Sequence, residues 1–338
     1  MPRIVVSGSI ATDHLMAFPG SFTDQLIADR LDRVSLSFLA DSLHIRRGGV
    51  AANIAFGLAS LGFAPVLVGA AGKDFAAYGD RLRTHSVDTA SVWISENLHT
   101  ARFVCTTDAR QNQIATFYAG AMAEAREISL AAVVERHGVP GLVVVAANDP
   151  EAMLRHSDEC RRASIPFAAD PSQQLARLGR EETRRLVEGA RYLFTNEYEA
   201  ALLMERTGWT REQVLRRTAT WITTRGPAGV EIVTAEGPPL RVPAVPADET
   251  LDPTGVGDAF RAGYLAGISW RWPQARAARL GCALATVVLQ TTGTQEYALT
   301  ADALLDGVEQ AYGPTEARAM ARPLTTAVRP GDPAKVGG

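Results

Sequence analysis

The stretch Asp252-Pro253-Thr254-Gly255-Val256-Gly257-Asp258-Ala259-Phe260-Arg261-Ala262-Gly263-Tyr264 has the composition of a turn that opens into a helix. Proline and glycine punctuate the chain, and Ala259, Phe260, Gly263 and Tyr264 then follow at helical spacing. Small residues let backbone N–H groups approach a ligand, and a helix N-terminus adds the positive end of its dipole. Gly255, Val256 and Gly257 are therefore expected to form an anion hole, suited to charge building up on a transferred phosphoryl group. Asp258 has two readings. The dipole alone stabilises a carboxylate at a helix N-terminus. Beside an anion site, however, the same carboxylate repels the ligand, which favours a general base that takes a proton from a substrate hydroxyl.

Such a turn needs a scaffold, and the sequence supplies one. Short apolar, β-rich runs recur at Ile4–Val6, Val66–Val68, Leu142–Val145, Phe167–Ala169, Tyr192–Phe194 and Trp221–Thr223. Helical patterns lie between many of them, as at Ala51–Leu61, Glu181–Gly189 and Glu197–Arg206. This alternation predicts an α/β fold with a mostly parallel sheet covered on both faces. The runs end at Asn148-Asp149, Asp170-Pro171-Ser172, Thr195-Asn196 and Thr223-Thr224-Arg225-Gly226. Singly, each reads as a helix cap. Together they mark the carboxyl edge of the sheet, where open parallel sheets bind ligands. Two stretches break the rhythm. Residues 10–47 carry β-like runs at Arg33–Leu39 and Leu43–Ile45. Residues 97–119 carry two more, joined by a hairpin loop at Asp108–Asn112. They are expected to form a small projecting sheet, which must cover something because it cannot stand alone in water. The core is then 1–9, 48–96 and 120–316, the lid 10–47 and 97–119, and the Arg/Pro/Gly/Thr-rich residues 317–338 a frayed tail.

Composition narrows the chemistry further. The 338 residues carry a net charge of −3, which gives no electrostatic case for nucleic acid or an anionic membrane. Cys105, Cys160 and Cys282 are scattered, and the six histidines form no HxH or HExxH pair, so neither a disulfide framework nor a zinc site is expected. No apolar stretch reaches the ~20 residues of a membrane span, and the expected location is cytoplasmic. Lys73 and Lys335 are the only lysines. With no GxxxxGK[ST] sequence, a P-loop enzyme is excluded. A dinucleotide dehydrogenase is disfavoured too, because Val5-Val6-Ser7-Gly8-Ser9-Ile10 lacks the GxGxxG that should follow a first strand.

Asp252–Asp258 resembles the carboxy-terminal signature of the ribokinase, or phosphofructokinase-B type, carbohydrate and nucleoside kinases. Arg47-Gly48-Gly49-Val50-Ala51-Ala52-Asn53-Ile54-Ala55 resembles the amino-terminal signature, with Gly69-Ala70-Ala71-Gly72-Lys73-Asp74 following at family spacing. Ser7–Leu15, Asp170–Arg177 and Gly293–Glu296 are similar to the actinobacterial adenosine kinase branch. The resemblance implies a ribokinase-like three-layer α/β/α core with a β-sheet lid. The implied reaction is ATP-dependent phosphorylation of the adenosine ribose 5′-hydroxyl to AMP, a purine salvage step, with ribose, fructose, inosine or guanosine as alternative acceptors.

Residue roles follow from the same resemblance. Asp258 is the base, and Gly255, Val256 and Gly257 form the anion hole. Val256 stands where the family more often has alanine. Ser9, Asp13, Gly49 and Asn53 meet the ribose. Asn196 and Glu199 organise Mg²⁺, largely through water, and Asp252 implies a monovalent cation such as K⁺. Asn196, Thr224, Arg225, Gly226, Pro227, Ala228 and Gly229 bind ATP. Phe103 and Phe117 stack on the base, with Phe38 and Tyr118 nearby, while Gln173, Gln174 and Ser37 read its edge. Arg177 is the candidate arginine for the phosphates. The lid is also expected to make a homodimer interface.

Overall fold

The computed structural model describes residues 3–25 and 35–328. The chain begins with strands β1 (Ile4–Ser7) and β2 (Ala11–Ala17), a short helix α1 (Phe22–Gln25) and β3 (Ser42–Gly48). It continues through α2 (Val50–Ser60), β4 (Val66–Ala71), α3 (Ala76–Thr84), β5 (Asp88–Ile94), β6 (Ala101–Thr107) and β7 (Gln113–Tyr118). Next come α4 (Leu130–His137), β8 (Leu142–Val145), α5 (Pro150–Arg162), β9 (Phe167–Ala169), α6 (Arg180–Val187) and β10 (Tyr192–Asn196). Then follow α7 (Glu197–Thr207), α8 (Arg211–Leu215), β11 (Thr220–Thr224), β12 (Val230–Thr234) and β13 (Leu240–Val242). Four helices end the described chain: α9 (Val256–Ser269), α10 (Gln274–Leu289), α11 (Ala301–Tyr312) and α12 (Pro314–Ala327).

The strands make two sheets. The large one runs β13-β12-β11-β10-β9-β8-β1-β4-β5. It is parallel from β11 to β5, and β12 and β13 extend one edge antiparallel. Side chains alternate across it as the period of 2 requires. Ile4, Val6, Leu142 and Val144 enter one core with α2, α9, α10, α11 and α12. Val5, Val143 and Val145 enter the other with α4 to α8. This is a three-layer α/β/α sandwich. From β1 the strand order grows one way through β4 and β5 and the other way through β8 to β11. That reversal places a crevice beyond the carboxyl ends of β1 and β8.

The small sheet runs β3-β2-β6-β7. Its register fixes which residues share a face. Arg46, Asp13, Phe103 and Phe117 lie in one row across all four strands. The alternate face carries Leu43, Ile45, Ile114 and Tyr118, all 44–59% exposed. The Asp108 carboxylate ties the β6–β7 hairpin loop by accepting from the backbone of Arg110 and Asn112 and from Phe22 N.

Two expectations need correction. Residues 35–40 form no strand, so Ser37 does not sit on one; Arg33 and Val34 lie outside the described residues. Phe38 instead packs its ring on Phe18 and Phe22. The chain from Ala317 is not frayed either. Pro314 starts α12 at its first position, where the missing N–H costs nothing, and Ala317, Met320 and Leu324 are buried on α11 and α10 at helical spacing. The internal Pro323 falls within this helix, and a Pro/Thr/Arg-rich composition concealed its apolar stripe. Residues 329–338 lie outside the described residues.

Candidate active site

Gly255 caps α9 with φ 76°, and a Cβ there would lie 2.8 Å from the Thr294 side chain, so only glycine fits. Asp258 is the third residue of the helix. Its Oδ2 accepts a 2.8 Å hydrogen bond from Asn53 Nδ2, on the first turns of α2. A relay of polar groups fixes that amide. Tyr78 OH donates to Gly48 O at 2.9 Å and accepts from Gln295 Nε2 at 2.6 Å. Gln295 Nε2 also donates to Asn53 Oδ1 at 2.8 Å, and Thr294 Oγ1 stands at 2.8 Å from the same oxygen. Asn53 Oδ1 is thus an acceptor only, which points its NH₂ at Asp258. Burial pushes the Asp258 carboxyl up to about 7. The Arg261 charge and the Asn53 bond oppose the rise, and Asp170 and Glu199 add to it.

The amino-terminal signature folds against this turn. Gly49 has φ 96°, and a Cβ would sit 2.6 Å from Ser9 O and Ala11 N, so the chain closes on itself only with glycine. The Ser9 hydroxyl accepts from Val50 N at 3.0 Å, which makes it a cap for α2. Asp13 comes from β2, packed against Gly48. Burial, with help from the Asp252 carboxylate, pushes Asp13 up to about 6. Asp252 itself accepts from Thr254 N and Gly293 N. The face of the small sheet that bears Asp13 therefore looks toward the α9 turn. Phe103 and Phe117 stand beside Asp13 in the same row, directly opposite each other. Phe103 is half-buried and Phe117 is 48% exposed.

The remaining rim lies at the ends of β8, β9, β10 and β11. Asp170 is fully buried and pairs through Oδ1 with Arg261 Nη2 at 2.6 Å, while its Oδ2 has no partner. Asn148 is buried with both amide atoms unpartnered, and Gln174 is buried with Oε1 unpartnered. Gln173 and Arg177 are exposed. Asn196 and Glu199 form a capping box on α7: Asn196 Oδ1 accepts from Glu199 N, and Glu199 Oε2 from Asn196 N, each at 2.8 Å. Burial raises the Glu199 carboxyl, and Asp170 adds to it. Among the described residues no three His, Cys, Asp or Glu side chains gather as a metal cage. The orphaned Asp170 Oδ2, close to the Glu199 carboxylate, still fits a hydrated Mg²⁺, which takes few protein ligands. Thr224 ends β11, and Arg225 to Gly229 make a tight turn closed by Arg225 N on Gly229 O at 2.8 Å. Gly226, Pro227 and Ala228 are exposed there, and Arg225 Nε donates to Glu197.

The turn, the Gly49 closure, Asn53 and Asp13 thus gather around the start of α9, with the aromatic pair in the Asp13 row of the small sheet. Ser37 is exposed on the irregular segment next to Phe38 and joins none of these bonds. The sequence placed Asn148 at the sheet edge and Thr294 and Gln295 in a family-like segment but gave them no role, and it did not single out Tyr78 or Arg261. A polar pair at 294–295 and an arginine inside a run of small apolar helix residues were the available signals.

Residues 10–301 match the model of a family described as pfkB family carbohydrate kinase. A nucleoside kinase from Burkholderia thailandensis, solved in complex with inosine, is 33% identical. It superposes with a TM-score of 0.80 over 92% of this chain and 98% of its own. A nucleoside kinase from Methanocaldococcus jannaschii is 27% identical over 265 residues, 78% of this chain and 85% of that protein. The crystal structure of the M. jannaschii nucleoside kinase, described as an archaeal member of the ribokinase family, superposes with a TM-score of 0.80 at 25% identity, over 91% of this chain and 98% of its own.

Proposed function

This chain belongs to the pfkB family of carbohydrate kinases, and from that premise we propose that it is an ATP-dependent nucleoside kinase whose preferred acceptor is adenosine. The observation that carries the reading is the Asn53–Asp258 pair at the N-terminus of α9, facing a lid row that combines Asp13 with two aromatic rings. A sugar kinase needs polar contacts alone, whereas a nucleoside brings a flat apolar base to be covered. Stacking on an aromatic contributes on the order of 1–3 kcal/mol per base. The B. thailandensis and M. jannaschii proteins, both nucleoside kinases, support the acceptor class. The same B. thailandensis enzyme solved with ADP-inosine supports an adenine-nucleotide donor.

In this mechanism Asp13 accepts from the ribose hydroxyls and Asn53 donates its second N–H to them. The 5′-hydroxyl lies at Asp258, which takes its proton as the γ-phosphoryl group arrives in line. The N–H groups of Gly255, Val256 and Gly257 receive the negative charge that develops. Thr224 to Gly229 lie along the donor nucleotide, and Arg177 at the rim approaches its phosphates. Asn196 and Glu199 would hold Mg²⁺, which when bound would neutralise charge on the phosphates. Phe103 and Phe117 cover the base. Gln174, with an unpartnered buried carbonyl oxygen, suits the adenine amino group, and Gln173 lies beside it. The outer lid face of Leu43, Ile45, Ile114 and Tyr118 suits a second copy in a homodimer.

The test is an acceptor panel with ATP: adenosine, inosine, guanosine, cytidine, ribose and fructose, following ADP release and identifying the product by ³¹P NMR. Adenosine is expected to give the highest kcat/KM and a 5′-monophosphate. An inosine optimum would move the assignment to 6-oxopurine nucleosides. A ribose or fructose optimum would refute the nucleoside reading.

A further inference from the structure

Arg261 has no part in the mechanism above, yet its position is hard to explain by stability. It lies on the core-facing side of α9 among Ala259, Phe260, Ala262, Gly263 and Tyr264, all buried. A guanidinium there is costly unless it is held by partners. Two hold it. Nη2 donates to Asp170 Oδ1 at 2.6 Å, and the guanidinium carbon stands 5.7 Å from the Phe194 ring centroid. A hydrophobic pair would fill the same volume at lower cost, so the retained charge calls for another explanation.

Helix side chains lean toward the N-terminus, and Arg261 reaches back to the first turn of α9. The position a Cβ would take on Gly257 is 2.7 Å from Arg261 Nη1. The cation therefore lies against the backbone of Gly257 in the first turn of α9. The acidic groups facing it are Asp170, Asp258 and Glu199. Gly257 thus has a second reason to be glycine: any side chain would displace the guanidinium from beneath the turn.

We propose that Arg261 is a positioning residue for phosphoryl transfer: a fixed cation beneath Gly257, locked by Asp170, that backs the anion hole with positive charge. This rests on the kinase reading above. It also explains how a carboxylate as close as Asp258 is tolerated beside an anion site. Charge grows on the phosphoryl oxygens and hole donors in the transition state, so the cation favours that state over the bound ground state. Arg261 touches neither sugar nor base, and its loss should fall on kcat rather than on the nucleoside KM.

Arg261→Gln, which keeps donors for Asp170 but removes the charge, is expected to lower kcat at least thirtyfold with the nucleoside KM within threefold of wild type. Arg261→Lys should recover at least a third of the wild-type kcat. A Gln variant within threefold of wild-type kcat, or one changed only in KM, would overturn the proposal. If the Gln variant does not melt cooperatively, Gly257→Ala serves instead. It should lower kcat at least tenfold by pushing the guanidinium aside, and Arg261→Lys in that background should restore activity because the shorter head clears the new methyl. No restoration would overturn the proposal. Wild-type enzyme assayed with ATP and the acceptor panel is the control: no turnover there sinks the kinase reading, whereas normal turnover with an indifferent Arg261 sinks only this inference.

Discussion

The chemistry comes down to how one carboxylate is handled. Asp258 lies where the helix dipole would favour its charge, but burial outweighs the dipole and pushes its pKa to about 7. A base with that pKa is half ionised near neutral pH, close to the optimum for general-base work. The sign is definite. As the proposed base, Asp258 must be ionised to accept the proton, so kcat/KM should fall about tenfold per pH unit below about 7 and level off above it. Asn53→Ala removes a bond to the charged form and should move that acid limb to higher pH. A flat profile from pH 5.5 to 8 would contradict the assignment. Stability runs the other way. The fold favours the protonated group, so its contribution is complete below pH about 4 and is lost as pH rises through 7.

At the scale of elements, the small sheet has the proposed task of covering the base of a nucleoside. The pairing register puts Asp13, Phe103 and Phe117 in one row, so the strand that carries the proposed ribose contact also aligns the ring pair. The root of the lid is fastened by Asp74. Burial would raise this carboxyl, but hydrogen bonds from Thr100 and Arg102 outweigh that and hold it down to about 2. Phe117→Ala should raise the adenosine KM by about tenfold while the ATP KM changes less than twofold, read from initial rates with each substrate varied in turn. Equal effects on both would count against stacking. The aromatics of 103 and 117 were visible in the sequence; their shared face was not, because it depends on β2 pairing parallel with β6 across some 90 intervening residues.

Over the whole molecule, the sequence showed most of the scaffold. The six apolar runs became β1, β4, β8, β9, β10 and β11, because buried parallel strands read as continuous Val/Ile/Leu segments. β12 and β13, an antiparallel extension beside the Arg225–Gly229 turn, carried no comparable run. The two-part signature placed Asp258 and Asn53, but the relay through Gln295 and Tyr78 joins residues about 217 apart and cannot be read from spacing. α12 escaped because its composition is tail-like. Leu324→Ala should cost about 2–5 kcal/mol in denaturant unfolding, since the side chain is fully buried. A change below about 0.5 kcal/mol would mean that α12 does not contribute to the core. If the outer lid face makes the proposed homodimer, the wild type should sediment as a dimer and Ile45→Asp as a monomer in sedimentation velocity; a monomeric wild type, or an unchanged dimer in the variant, would contradict that interface.

The central claim is that Asp258 is the base for phosphoryl transfer to a nucleoside hydroxyl. Asp258→Asn keeps the shape and the contact with Asn53 and removes only the basic oxygen. Steady-state turnover of adenosine with ATP, set beside adenosine affinity by calorimetry, tests this directly. The account predicts a kcat at least 10³-fold lower, in the range of lost general-base catalysis, with affinity within threefold of wild type. A kcat within tenfold of wild type would contradict it.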